Sequence, residues 1–243
     1  FYIDDVSIPH SWYVIEEGVN DKVYMFVSQK PPDVPPERIA YRILTIQPGN
    51  YVGASLAQAL QDEANQAIVI TGFENLFEVI YIPAQNDIRI SIRLEGWLFK
   101  VLTPADISSN LNGTWGGAPI DIDNPKDMND VLGNLEGNSP EYDLLNNFQK
   151  SLNLNSIRNL YIHSSLGNYG TIGPRGETTI IKKVSVSANK GEVIFDNVLV
   201  AYDFGDCSKQ SLRTMFFEIK DARGNFINFH GNNLSFSIVF TRA

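Results

Sequence analysis

The chain has 243 residues, 43% of them hydrophobic and 19% charged, and carries a net charge of −9. Those proportions exclude a disordered or low-complexity chain, and the acidic balance argues against a nucleic-acid binder, which needs clustered Lys and Arg. Cys207 is the single cysteine, so no intrachain disulfide can form, as in proteins that fold in a reducing compartment.

The opening residues, Phe1-Tyr2-Ile3-Asp4-Asp5, lack the basic segment and apolar stretch of a secretion signal. Position 1 is not methionine, so the chain is expected to be trimmed, processed or the ordered part of something longer. No run of about 18 apolar residues offers a membrane-spanning helix.

Period-two alternation runs through most of the chain. It predicts strands over 11–15, 22–28 and 38–46, then a helix over 55–65. Ser55-Leu56-Ala57-Gln58 fits a capping box at the start of that helix, and Leu56, Leu60 and Ala64 form its apolar stripe. A hairpin follows, joining 76–82 to 87–94 through Pro83-Ala84-Gln85-Asn86, with Ile88, Ile90 and Ile92 inward. A strand over 97–103 precedes a long stretch rich in Asn, Gly, Asp and Pro. Residues 104–155 are therefore expected as a loop-rich insertion, interrupted by a helix over 125–132. Asn124 would cap that helix, Pro125 would take its first position and Gly133 would stop it.

Beyond this excursion the pattern predicts strands over 160–164, 178–187 and 193–201. Residues 213–220 and 225–229 make a second hairpin, with Gly224 supplying the left-handed position of its turn. In that register Asp221 faces Asn225, Ile219 faces Ile227, and Phe217 faces Phe229, which leaves Phe216 and Phe226 on the other face. The last strand places Leu234, Phe236, Ile238 and Phe240 on one side. About a dozen strands bounded by turn residues read as an all-β sandwich or barrel in one domain over 1–243.

Motifs for chemistry are sparse. His10, His163 and His230 have no metal-ligand spacing, and Asp206 beside Cys207 disfavours a thiolate. Asp121, Asp123 and Asp127 match part of a calcium loop, but Pro125 and Lys126 fall where a ligand and the glycine belong. They read as solvated loop carboxylates near a helix start. Asn112-Gly113-Thr114 and Asn233-Leu234-Ser235 match the glycosylation sequon and read as chance in an Asn-rich chain. No cofactor, no metal and no enzymatic activity are expected.

The charge is uneven. Residues 1–149 hold 8 basic and 21 acidic side chains, and residues 150–243 hold 11 and 7. An acidic loop region accounts for this, and so does association of copies, acidic side to basic side.

Several segments together carry a resemblance. They are Ile8-Pro9-His10-Ser11-Trp12-Tyr13-Val14, Gln47-Pro48-Gly49-Asn50-Tyr51, and Asp127-Met128-Asn129-Asp130-Val131-Leu132-Gly133. Further on come Asn159-Leu160-Tyr161-Ile162-His163-Ser164-Ser165-Leu166-Gly167 and Gly173-Pro174-Arg175-Gly176-Glu177. Leu212-Arg213-Thr214, Asp221-Ala222-Arg223-Gly224-Asn225 and His230-Gly231 close the set. In order and number they resemble the penton, or minor capsid, protein of virophages, Polinton-like viruses and adintoviruses. Residues 135–155 lie outside the resemblance, and Asn134 stands where the family pattern has an apolar residue.

The resemblance implies a single jelly-roll β-sandwich whose five copies form a capsomer. That homopentamer would sit in the virion at the fivefold vertices of an icosahedral shell, against a double jelly-roll major capsid protein. It would be assembled inside the infected cell, presenting loops towards a host receptor, without direct nucleic-acid or membrane contact. The aromatics Trp12, Tyr13, Phe216 and Phe226 are the candidate subunit-interface residues, because aromatics left on outer faces commonly anchor such contacts. Two rivals share the sandwich: a carbohydrate-binding module, with Trp97 or Trp115 as its aromatic platform, and a polysaccharide hydrolase or lyase with paired acids in a groove.

Overall fold

A computed structural model describes residues 1–29, 39–69, 72–109, 114–115, 118–119, 126–134, 145–147, 151–155, 157–167, 172–200, 203–208 and 213–241. Antiparallel strands in several small sheets dominate, joined by three helices among the described residues. The all-β expectation therefore holds, and the sheets fit a sandwich rather than a barrel. The single domain read over 1–243 resolves into two compact units with separate cores. The first unit is Phe1–Trp12 with Ile157–Ala243, and the second is Tyr13–Ser156.

In the first unit β1 (Tyr2–Pro9) lies between β12 (Val193–Asp196) and β14 (Ser235–Val239). A second three-stranded sheet sets β10 (Asn159–Ser164) between β11 (Ile180–Ser185) and β13 (Phe217–Lys220). Ile3, Val6 and Ile8 of β1 share one core with Leu160, Ile162, Val184, Ile194 and Ile219. Each such side chain, fully buried, contributes about 1.5–3 kcal/mol.

Strand β1 escapes the alternation rule for a local reason. Its register with β14 shifts between Ile3 and Val6, so Asp4 and Asp5 form a bulge and the inward residues run 3, 6, 8. The expected strand over 11–15 is not formed; Ile15 makes only an isolated bridge to Gly49.

The second hairpin has the register its sequence dictates. Asp221 N–H donates to the Asn225 carbonyl at 3.0 Å and Ile227 N–H to the Ile219 carbonyl at 3.2 Å, while Gly224 takes φ +88°. Only the 217–220 arm is a regular strand, with an isolated Lys220–Phe226 bridge opposite. In β14, Phe236 and Ile238 face the core as expected, whereas Phe240 beyond its end is half exposed and meets the Phe1 ring at 6.1 Å.

In the second unit β2 (Lys22–Gln29) lies between β3 (Ile39–Thr45) and β6 (Trp97–Val101). The first hairpin appears as β4 (Phe77–Ile82) and β5 (Asp87–Ile92), in the expected register Ile82 opposite Asp87. β5 also pairs with β9 (Leu145–Asn147), and β7 (Thr114–Trp115) with β8 (Ala118–Pro119). The stretch read as loop over 104–155 thus holds three short strands and the helix α2 (Pro104–Ser109).

Helix α1 (Gly53–Ala67) buries Leu56, Leu60 and Ala64 as expected, but begins two residues early. Ser55 is therefore not its cap. Its hydroxyl accepts the Val52 N–H at 3.0 Å from inside the first turn, and Gln58 bonds Asp62 instead. Helix α3 (Asn129–Leu132) is shorter than read. Lys126 takes φ +56°, which no helix tolerates, while Gly133 at φ +74° stops the helix as expected. Asn124 and Pro125 lie outside the described residues. Asn134 is buried, its amide donating to Asn129 Oδ1 at 2.9 Å.

Candidate assembly surface

The two sheets of the first unit end at open rims. β12 pairs only with β1, and β11 only with β10, among the described residues. Unpaired rims invite another chain unless something blocks them. Along β12, Ile194 points into the core while Val193 and Phe195 point out, Phe195 with 60% of its surface exposed. Exposed Val198 and Leu199 continue this apolar strip.

Between the two rims runs a groove of about 480 Å³ lined by Ile181, Lys182, Phe195, Val198 and Asp203. Lys182 stands directly across from Ile162, whose side chain is in the core, so its own side chain enters the sandwich. The Lys182 side chain is 2% exposed, and its ammonium lies 3.8 Å from both Asp196 and Asp203. It donates to the Val198 carbonyl at 2.9 Å. The ion cluster joins the rim of one sheet to the rim of the other.

On the outer face of the other sheet, Lys220 sits 4.6 Å from the centroid of the Phe226 ring and holds Glu218 at 2.6 Å. His163 lies beside this pair, its Nδ1 2.9 Å from Thr179 Oγ1. Burial holds its imidazole below the ordinary range, helped by Lys220 and opposed by Glu177 and Glu218.

The four candidate interface residues divide. Phe226 and Phe216 are 65% and 49% exposed. Trp12 instead belongs to the core of the first unit, 4% exposed, with its ring 4.3 Å from His10 and edge-on to Phe229. Tyr13 is half-buried and opens the second unit. Sequence reasoning missed Phe195 and Phe204, both more than half exposed. The alternation of residues 193–196 gave the signal for Phe195, since Ile194 inward forces its neighbours out.

Of the other singled-out residues, His10 is buried, with Nδ1 2.9 Å from the Ala188 carbonyl, and His230 is exposed in a turn. Cys207 is half-buried beside the core. Asp127 Oδ1 accepts the Asn129 N–H at 2.9 Å, and Asp121, Asp123 and Asn112 lie outside the described residues. Asn233 is exposed just before β14. Among the described residues no group of three or more His, Cys, Asp or Glu is placed to hold a metal, and no helix is long and apolar enough to cross a membrane. No family model, curated protein or solved structure matches the chain.

Proposed function

We propose that this chain is a structural subunit made to be tiled: a penton-type minor capsid protein, five copies of which close the vertex of an icosahedral shell. The observation that carries the reading is the exposure of large aromatic side chains on the first unit. Phe195, Phe204, Phe216, Phe226 and Phe240 each leave about half or more of their surface open. Single exposed apolar residues are ordinary, but five phenylalanines on a unit of 99 residues suit a surface that other chains cover. Phe195 on the rim strand β12 and Phe226 opposite Lys220 are held by small, firmly cored sheets, which supplies the rigid display that a shell contact needs. Contacts around a ring would join two different patches, head to tail, with closure.

Native mass spectrometry of the full chain tests this directly. Five copies are expected; a trimer or a single chain at every concentration argues against a vertex capsomer. In assembled particles the protein should be labelled at the vertices, and label elsewhere overturns the proposal. The carbohydrate-binding rival asks for an open aromatic platform, and Trp97 is buried in the second core.

A further inference from the structure

Four side chains fall in one cross-strand row on the outer face of the sheet formed by β11, β10 and β13. Lys183 is directly opposite Tyr161, Tyr161 is opposite Lys220, and Lys220 is opposite Phe226. Directly opposed residues of antiparallel strands share a face, and Leu160 and Ile162 on either side of Tyr161 are buried. The row therefore runs cation, aromatic, cation, aromatic across neighbouring strands, spanning about 14 Å at the usual strand spacing. Lys220 also holds Glu218, while Lys183 is exposed and has no ion-pair partner among the described residues.

The second unit carries the opposite character. It has 9 basic and 19 acidic side chains, a net −10, whereas the first unit has 10 and 9, a net +1. Helix α1 exposes Asp62 and, one turn further on, Gln66, and just past the helix Val69, Phe73 and Glu74 are exposed around one shallow pocket. This is again an apolar patch with charges, but here the charges are carboxylates.

We infer that the Lys183–Tyr161–Lys220–Phe226 row is a docking face for a second copy of this chain, and that it receives the acidic patch of Asp62, Glu74, Val69 and Phe73 on that copy's second unit. Charge complementarity is the ground for choosing this occupant. Lys183 at the end of the row and Lys220 between Tyr161 and Phe226 match two exposed carboxylates, one of them beside exposed apolar side chains, and the units differ in net charge by 11. Because the two patches differ, the contact is head to tail and can repeat around a ring. The inference deepens the assembly reading above and rests on copies meeting, but not on their number.

The test is assembly of the full chain, followed by sedimentation across protein concentration. Four versions are compared: wild type, Lys183→Glu/Lys220→Glu, Asp62→Lys/Glu74→Lys, and all four substitutions together. Each double variant should raise the concentration needed for assembly at least tenfold, and the quadruple variant should recover it, since its charges are exchanged rather than lost. Raising the salt from about 0.05 to 0.5 M should weaken wild-type assembly in the same direction. The salt arm needs no variant to fold, and thermal melts identify any variant that does not.

If wild type assembles and neither salt nor the substitutions change it, the docking face is wrong while the assembly reading survives. An assembly of another order that follows the charge exchange keeps the docking face and removes the five-copy reading. A chain that stays single throughout overturns both. If the lysine variant assembles normally but loses binding to heparin or a single-stranded oligonucleotide, the row serves a polyanion and the inference fails.

Discussion

The Asn65 side chain grips the backbone of Phe77 from both directions. Phe77 N–H donates to Asn65 Oδ1 at 2.7 Å, and Asn65 Nδ2 donates back to the Phe77 carbonyl at 3.0 Å. One turn earlier on the same helix, Gln61 Oε1 accepts the Val79 N–H at 2.9 Å. Four helical residues rise about 6 Å and two strand residues about 6.6 Å, so side chains spaced i, i+4 on α1 fit alternate residues of β4. Among the described residues β4 is the rim of its sheet, and the helix satisfies backbone groups that a neighbouring strand would otherwise take.

Replacing Asn65 with Leu should therefore destabilise the protein by about 3 kcal/mol, because two bonds are lost and the Phe77 amide and carbonyl are left without partners beside the core. Gln61→Leu, which frees one amide, should cost about a third as much. Urea unfolding reads both. Equal midpoints for wild type and Asn65→Leu would show that water serves the rim equally well.

Gly53 opens helix α1 because of what lies above it: a β-carbon there would overlap the ring of Tyr81. Tyr81 is anchored in turn by its hydroxyl, 3.0 Å from Asn86 Oδ1. Gly53→Ala, ordinarily harmless or helpful in a helix, is expected to cost about 1–3 kcal/mol as overpacking. In a Tyr81→Ala background the same substitution should be neutral or stabilising. A double-mutant cycle with no coupling between the two positions would refute the steric account.

Sequence patterns made the hairpins, their registers and the apolar stripe of α1 legible, because each depends on residues close in the chain. Ile219 opposite Ile227 follows from Gly224 and a four-residue span. What pattern could not show depends on distant partners. Asn65 reads as one more polar helix residue until Phe77 is brought to it, and Trp12 reads as a surface aromatic until Phe229 and His10 enclose it. The bulge at Asp4-Asp5 hid β1 by breaking the alternation that the other strands display. Of the candidate interface, Phe226 was legible because its register placed it opposite Lys220, away from Ile219 and Ile227.

Lys182 offers a sharper energetic test, since its charge is buried between the rims of two sheets. Lys182→Met leaves Asp196 and Asp203 facing one another without a cation and should cost about 3–5 kcal/mol. Asp203→Asn should cost less, because Asp196 and the Val198 carbonyl still hold the ammonium. Replacing all three together, Lys182→Met with Asp196→Asn and Asp203→Asn, should recover much of the loss, since no lone charge stays buried. A triple variant no more stable than Lys182→Met would show that the loss does not come from the two carboxylates left without their cation.

His163 predicts a pH dependence with a definite sign. Burial, with help from Lys220, keeps its folded imidazole below the ordinary range, so between the folded value and about 6.5 the unfolded chain binds the extra proton. The neutral imidazole's contribution is then fully present above about pH 6.5 and is lost as pH falls towards the folded value. Glu177 and Glu218 temper the effect by favouring the charged ring, and Thr179 engages Nδ1 in either state. Wild type should lose more stability between pH 7.5 and 5.5 than His163→Gln, whose side chain does not titrate. Urea midpoints at the two pH values measure the difference. Identical losses in both proteins would mean that His163 is protonated equally easily in the folded and unfolded chain.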